Sequence, residues 1–261
     1  MAPLAKAARR RAERGKVALA LAPTDGRRYN RRVMSATVRL LVVAILLVAG
    51  VPARADFLAG VAAYKRGDYK AAYEEWLPPA TDGFAKAQFN IGILYYGGEG
   101  VSTDFHMAQL WFRKAAAQGH AEAQFNLANM MEFAEGPVGS ERQIVELYRK
   151  SAEQGYASAQ YNLGMMYLEG GFGIRKSATT AAEWFEKAAM QGDLEAQYMT
   201  ARVNVILDDA KVWAWMRILE ERGDSDAQKL RDFIEPRIVD INREEGEELY
   251  QKLRKNAIPR N

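Results

Sequence analysis

The sequence contains no cysteine and only two histidines among its 261 residues. Without cysteine there is no disulfide bond, no cysteine-ligated metal, no cysteine nucleophile and no lipid-modified cysteine after an export signal. His106 and His120 have no metal-ligand spacing to a partner. None of the serines after residue 55 has a lysine three residues later, as a β-lactamase-type nucleophile requires. The composition therefore predicts no catalytic residue, no metal and no cofactor.

Long hydrophobic runs are also missing. The longest uncharged apolar segment, Leu40–Val51, has twelve residues, whereas a membrane-spanning helix needs about 20. Arg39 precedes this segment, and the Pro-Ala-Arg-Ala that follows it contains the small-x-small pattern of a secretory cleavage site. We therefore predict a signal peptide over 34–55, cleaved between Ala55 and Asp56, and a periplasmic or secreted protein with no permanent membrane span. An uncleaved leader that anchors the chain in the inner membrane is the alternative.

Acidic residues are scarce at the N-terminus. Residues 1–55 hold twelve Lys or Arg and two Asp or Glu, a net charge of +10, so the total of +3 leaves about −7 for residues 56–261. An acidic body repels a phosphate backbone, which argues against a nucleic-acid partner.

Residues 1–33 form a basic extension that is longer than the charged start of an ordinary signal peptide. Translation from Met34 would give a compact leader for the Sec route. Alternatively, Arg31-Arg32 belongs to a twin-arginine export signal, although the flanking residues match that motif poorly. A third interpretation, a basic arm that binds nucleic acid, is less favoured because an apolar run follows the extension.

A repeat of about 36 residues fills the rest of the chain. The segment DGFAKAQFNIGILYYGGEG returns as QGHAEAQFNLANMMEFAEG and QGYASAQYNLGMMYLEGG, then as QGDLEAQYMTARVNV and a shortened RGDSDAQKL. One glutamine in each copy marks the period, with spacings of 36, 36, 37 and 31 residues. These marker glutamines are Gln88, Gln124, Gln160, Gln197 and Gln228.

Each unit contains two helical patterns separated by a glycine such as Gly119, which can take the left-handed conformation that ends a helix. In the first pattern, a large ring lies seven residues before the glycine. In the second, the marker glutamine starts an i, i+3, i+4, i+7 pattern with a small residue at i+4, which lets neighbouring helices approach closely. The rings are Phe112, Tyr148 and Phe185, and the small residues are Gly92, Ala128 and Gly164.

Polar residues at the start of each unit supply plausible helix caps, and Ser140 with Gln143 also matches a capping box. The caps are Asp68, Asp104, Ser140 and Ser177. Stacked hairpins of this kind bury their ring-and-alanine faces against each other. The predicted fold is all-α, a right-handed α/α solenoid of stacked helix-turn-helix repeats.

The predicted organisation has a signal, a repeat region and a capped end. It comprises the extension 1–33, the signal peptide 34–55, an opening helix over 56–67, five repeats over 68–235 (68–103, 104–139, 140–176, 177–208 and 209–235), and a capping helix and tail over 236–261.

The segments AQLWFRKAAAQGHAEAQFNLA and AAEWFEKAAMQGDLEAQY resemble the Sel1-like repeat (SLR) family, a longer-period relative of tetratricopeptide repeats. The resemblance covers about 68–235. It implies an α/α solenoid that serves as an adaptor in protein complexes, often exported in bacteria and linked to envelope signalling, cell-wall processes or host interaction. The absence of cysteine distinguishes this chain from the cysteine-rich branch of the family, to which penicillin-binding or β-lactamase activity has been attributed.

The remaining candidate for function is a surface. Positions 13, 9 and 6 before each turn glycine share a helical stripe beside or opposite the core, and the first helix of a repeat commonly lines the concave face of a solenoid. We expect this stripe, here called the charged strip, to contact a protein or peptide partner. Its members are His106, Arg113, Arg142, Glu146, Arg149, Glu183, Glu186 and Arg217.

Two tempting residue types are predicted to be structural. His120 occupies a helix–helix turn where other copies have Phe, Tyr or Asp, so it is expected to be solvated. Four tryptophans lie within eight residues of the turn glycines, which favours core packing over a sugar-binding platform. They are Trp76, Trp111, Trp184 and Trp215.

These observations predict an exported SLR adaptor or scaffold that mediates protein–protein interactions in the bacterial envelope, in a regulatory capacity and without enzymatic activity. The alternatives are a cell-wall-active hydrolase or peptidoglycan-binding module, and a structural spacer that contributes only shape.

Overall fold

The computed structural model describes residues 56–133, 139–205, 207–224, 227–234 and 243–258. The predicted extension 1–33 and leader 34–55, with Ala55, lie outside the described residues. Within the described residues the regular structure is helical, apart from one isolated β-bridge between Gly171 and Ile174. The predicted all-α class is therefore confirmed.

The helices follow each other in antiparallel pairs, and each helix from α2 to α10 packs against the next one along the chain. The helices are α1 (56–65), α2 (Tyr69–Thr81), α3 (Ala85–Gly97), α4 (Phe105–Ala117), α5 (Ala121–Phe133), α6 (Glu141–Glu153), α7 (Ala157–Glu169), α8 (Ala178–Ala189), α9 (Leu194–Asn204), α10 (Asp209–Glu221), α11 (Ala227–Ile234) and α12 (Arg243–Ala257). Packing of successive neighbours makes the described chain an α/α solenoid.

The helix ends follow the caps that the sequence predicts. Asp104 accepts a hydrogen bond from the Met107 amide at 3.0 Å, and Ser140 forms a complete capping box with Gln143. Asp68 and Ser177 cap α2 and α8 through the same type of bond. These side chains satisfy amides that the first turn of a helix leaves unpaired.

A buried ring lies against a small residue where paired helices cross. A Cβ atom added to Gly92 would lie 2.6 Å from Cε1 of Phe112, and one added to Gly164 would lie 2.7 Å from Cε1 of Phe185. Both rings are fully buried. The predicted close approach at these small residues is confirmed.

The marker glutamines tie neighbouring repeats together. Gln160 is 5% exposed, and its Nε2 donates a hydrogen bond to the carbonyl of Ala152 at 3.0 Å, at the end of the preceding helix. Its Oε1 accepts a hydrogen bond from Nε2 of Gln191 at 2.8 Å, just after the following helix. One side-chain amide thus joins α6, α7 and the end of α8. The same arrangement, here called the glutamine clamp, occurs at Gln88 with Gln118 and at Gln124 with Gln154.

The glutamine clamp has different partners at the C-terminal end of the solenoid. Arg222 takes the place of the second glutamine and donates from Nη1 to Oε1 of Gln197 at 3.1 Å. Gln197 also donates to the carbonyl of Ala257 at 2.8 Å, which attaches the end of α12. Hydrogen bonds from Arg254 and Tyr250 lower the pKa of Glu221 to about 2. Helix α12 therefore covers the last repeat through both buried and exposed contacts.

Candidate functional site

The charged strip lies on α4, α6, α8 and α10, and its members differ in exposure. His106, Arg113, Arg142, Glu146 and Glu183 are exposed, whereas Arg149, Glu186 and Arg217 are partly buried. The strip is thus accessible to a partner at most of its positions along α4, α6 and α8.

Several charges of the strip are neutralised within the chain. Arg149 pairs with Glu146 at 3.3 Å, and Glu186 pairs with Lys211 of the next repeat at 2.6 Å. Arg217 pairs with a glutamate one turn later and lies over the Tyr250 ring. Other strip members form no ion pair or hydrogen bond within the described part of the chain, and only these offer unpaired side chains to a partner. They are His106, Arg113, Arg142 and Glu183.

The expectation that His120 is solvated is wrong. Its side chain is 13% exposed, and its ring stacks on Phe89 of α3 at a centroid distance of 4.9 Å. Its Nδ1 lies 3.4 Å from the amide of Ala123, at the start of α5. Burial lowers the pKa of His120, against the opposing effect of Glu122. The turn brings residue 120 back over the preceding repeat, which the sequence of the turn alone does not reveal.

Core packing is confirmed for all four tryptophans, and three of them are fully enclosed. Trp76, Trp111 and Trp215 are buried. Trp184 is partly buried and carries the ammonium of Lys187 over its ring at 3.7 Å. No free aromatic platform is formed by these four residues.

A second accessible surface lies on α3, α5 and α7, the helices that carry the marker glutamines. Positions two and five residues after a marker glutamine are partly exposed in α3, α5 and α7, and asparagine occupies four of these six positions. We call this surface the asparagine stripe; it consists of the partly exposed Asn90, Ile93, Asn126, Asn129, Asn162 and Met165 at these positions, together with the exposed Phe133 one turn after Asn129. This surface was not predicted from the sequence, although the tripeptides QFN, QFN and QYN recur in the repeats.

Tyr148 organises the middle of this stripe. Its hydroxyl donates to Oε2 of Glu132 at 2.6 Å and lies 3.3 Å from Oδ1 of Asn129. Burial is the main cause that raises the pKa of Tyr148, and the hydrogen bond to Glu132 raises it further. A hydrogen bond from Asn162 lowers it. One hydroxyl group thus links side chains of α5 and α7.

Metal-ligating side chains do not cluster in the described residues. These residues contain no group of three or more His, Cys, Asp or Glu side chains that could hold a metal ion. The glycine-rich segment Gly97–Gly100 connects α3 to α4, with left-handed backbone at Gly98 and Gly100. None of the described helices has the length and apolar character needed to cross a membrane.

Stacked helix pairs joined by buried rings and clamps define an α/α solenoid scaffold. The chain belongs to the Sel1 repeat family, whose model matches residues 85–120, 121–156 and 157–193. A Sel1 repeat protein from Oxalobacter formigenes is 30% identical, with a TM-score of 0.63, and the match covers 77% of this chain and 85% of that one.

A second solved structure is that of c5321, a protective antigen present in uropathogenic Escherichia coli strains, which displays an SLR fold. It is 28% identical, with a TM-score of 0.66 over 78% of this chain. The chain spans only 46% of the length of c5321. No protein with a curated description matches the sequence.

The matched units differ in phase from the predicted repeats. Each matched unit begins at α3, α5 or α7, the helix with the marker glutamine. The charged strip on α4, α6 and α8 therefore lies on the second helix of these units, whereas these helices were predicted to be the first. The order of the helices therefore no longer indicates that the strip lies on a concave face. The exposure of its side chains is what favours it as a binding surface.

Proposed function

We propose that the chain is an exported adaptor that holds proteins together in the bacterial envelope and contributes to regulation there. Proteins built from Sel1 repeats typically mediate protein–protein interactions, and this chain has that scaffold over most of its described length. The single observation that carries the proposal is the dense stack of clamped repeats, which presents long accessible surfaces along the described residues.

Export is supported by the apolar segment Leu40–Val51 and the small residues that follow it. In this proposal the signal peptide 34–55 is removed, Asp56 becomes the first residue, and the protein works in the periplasm or outside the cell. The similar protein c5321 is a protective antigen, which accords with an exported location. The division into five repeats over 68–235 and a capping segment over 236–261 remains a prediction.

We propose further that the charged strip contacts a protein or peptide partner. Arg113 and Arg142 are its most suitable probes, because both are exposed and neither forms an ion pair within the described residues. Exposed charges that lack internal partners contribute little to folding, so changing them isolates an effect on binding.

Replacing Arg113 and Arg142 together with glutamate is expected to reduce recovery of the partner from envelope extracts by at least about fivefold, because two attractive contacts become repulsive. Recovery is measured by affinity capture with quantitative mass spectrometry, and the captured chain is expected to begin at Asp56. Lys252→Glu, an exposed change on α12, is the control and should leave recovery unchanged. Equal recovery with both variants would refute the role of the strip, and turnover of a chromogenic β-lactam would contradict the adaptor function.

A further inference from the structure

We propose that His120 is a pH-sensitive switch at the junction of the matched units 85–120 and 121–156. When its imidazole is neutral, one ring nitrogen caps α5 while the ring stacks on α3. When the imidazole is protonated, the cap is lost and the start of α5 opens. The switch lies in the turn between α4 and α5, and it depends neither on the charged strip nor on export.

The turns between paired helices carry a series of stacked rings. The residue that follows each turn glycine lays its ring against an aromatic residue of the helix two places earlier in the chain. The pairs are Phe84 with Phe57, His120 with Phe89 and Tyr156 with Phe125, at centroid distances of 5.1, 4.9 and 5.1 Å. His120 is the one member of this series that titrates near neutral pH, so acidification acts on one contact of the series.

His120 adds a second role, that of a helix cap. Its Nδ1 accepts a hydrogen bond from the amide of Ala123 at 3.4 Å, in the first turn of α5. The equivalent residues divide the two roles. Phe84 and Tyr156 stack but form no side-chain cap, whereas Asp193 has no ring and caps α9 with a bond of 2.8 Å. Among these four positions, only His120 combines a stacked ring with a cap.

The nitrogen that caps α5 also faces a carboxylate. Oε2 of Glu122 lies 3.2 Å from Nδ1 of His120. An unprotonated ring nitrogen can accept a hydrogen bond from an amide, whereas both nitrogens of an imidazolium can only donate. Protonation therefore breaks the bond with the Ala123 amide and leaves Glu122 as the partner of Nδ1. It also places a positive charge at the start of a helix, where the helix dipole disfavours it.

The surroundings of the ring favour its neutral form. Burial is the main cause that lowers the pKa of His120; Glu122 opposes this effect, and Lys86 of α3 adds to it. Because the pKa in the folded protein lies below the ordinary value of 6.5, the folded chain takes up the proton less readily than the unfolded chain. Stability is therefore lost as the pH falls below about 6.5.

Charged side chains on the other helices near this turn have contacts of their own. On α4, which ends at the turn, the ammonium of Lys114 lies over a tryptophan ring at 3.9 Å. On α6, which packs against α5, Lys150 pairs with a glutamate of its own helix at 3.5 Å. Lys86 and Glu122 are thus the charged groups that act on the imidazole.

The titration of His120 can be followed directly, because the chain contains only two histidines. In the His106→Gln variant of the full-length chain, carrying no polyhistidine tag, the C2 proton of the remaining imidazole is followed by NMR from about pH 8 to about pH 4.5. The midpoint is expected below 6.5, because burial disfavours the charged form. A midpoint at or above 6.5 would overturn the proposal.

His120→Tyr tests the effect on stability, because it keeps a ring, as Tyr156 does in the next repeat, and removes the titrating nitrogen. Urea denaturation is measured at about pH 7.5 and about pH 5.5. The midpoint of the wild type is expected to fall by at least about 0.3 M more than that of the variant, since the other titrating groups are common to both. Equal falls, or a larger fall in the variant, would contradict the switch.

His120→Asp tests the local opening, because aspartate caps the equivalent helix at Asp193 without titrating near neutral pH. Amide hydrogen exchange of residues 119–127 is compared between wild type and variant at the same pH, so that intrinsic exchange rates cancel. The ratio of the wild-type rate to the variant rate is expected to be at least about threefold higher at pH 5.5 than at pH 7.5. The start of α9 is the internal control and should exchange equally in both proteins. An unchanged ratio would mean that protonation leaves α5 closed and would refute the switch.

Discussion

Replacing Gln160 with leucine is expected to lower the free energy of unfolding by about 2 kcal/mol, because it removes two hydrogen bonds of a buried side-chain amide and each contributes about 1 kcal/mol. Both bonds of the clamp are lost, while the carbonyl of Ala152 keeps the Gly155 amide at 3.0 Å and Nε2 of Gln191 keeps the carbonyl of Lys187 at 3.4 Å. Urea denaturation followed by circular dichroism measures the loss. The transition should also broaden, because contacts between repeats provide the cooperativity of a solenoid.

Gln228→Leu is the matched control for this prediction. Gln228 is the last marker glutamine, but it is exposed and donates to Asp232 of its own helix at 2.8 Å. Its replacement is expected to change the free energy of unfolding by less than about 0.5 kcal/mol. Equal losses at positions 160 and 228 would show that the clamp does not hold the repeats together.

Gly92→Ala is expected to destabilise the protein by about 2 kcal/mol, although alanine is the better helix former by roughly 1 kcal/mol. The added methyl group would lie 2.6 Å from the buried Phe112 ring, so α3 and α4 would have to separate. Thermal and urea denaturation of the variant measure the effect.

Gly97→Ala at the end of the same helix should have the opposite sign. A Cβ atom there meets only the flexible Glu99 side chain, at 3.4 Å, so the gain in helix propensity remains. Phe112→Leu should cost less in the Gly92→Ala background than in the wild type, because the smaller side chain relieves the crowding. Purely additive effects would contradict the contact between glycine and ring.

Local signals in the sequence were sufficient for the helices and their ends. Ser140 followed by Gln143 predicts a capping box, and Gly119 predicts a left-handed helix end; both are present. The contact between Gly164 and the Phe185 ring was also indicated by the sequence. A small residue at i+4 and a ring seven residues before the turn recur with the period. Each of these features has a signal within a single helix or turn.

Features that join residues about 30 positions apart were not predicted. The spacing of Gln160 identified the repeat but not its bond to Gln191, since only stacking brings the two side chains together. The same reason explains His120, whose stacking partner Phe89 lies in the preceding repeat. The Gln-Gly dipeptides at the helix–helix turns could have predicted the clamp. A buried side-chain amide such as that of the marker glutamine requires a hydrogen-bond partner, and the glutamine of the next dipeptide supplies it.

The accessible surfaces were only half predicted. Helical periodicity identified the charged strip with Arg113 and Arg142, which are exposed. It gave no reason to separate these residues from Arg149, whose ion pair with Glu146 becomes visible only in the structure. The asparagine stripe was not predicted, because Asn126 and Asn162 follow the marker glutamines by two residues and recur with the same period.

Hydroxyl-radical footprinting of the chain, alone and with the protein that co-purifies with it, tests the central claim that the stacked repeats themselves are the recognition surface. Oxidation of the accessible Phe133 and Met165, or of His106 on the charged strip, is expected to fall by at least about threefold in the complex. Leu58 on α1, which is 58% exposed, should be unaffected. Unchanged oxidation at all three repeat positions, with protection confined to α1 or α12, would contradict recognition by the repeats.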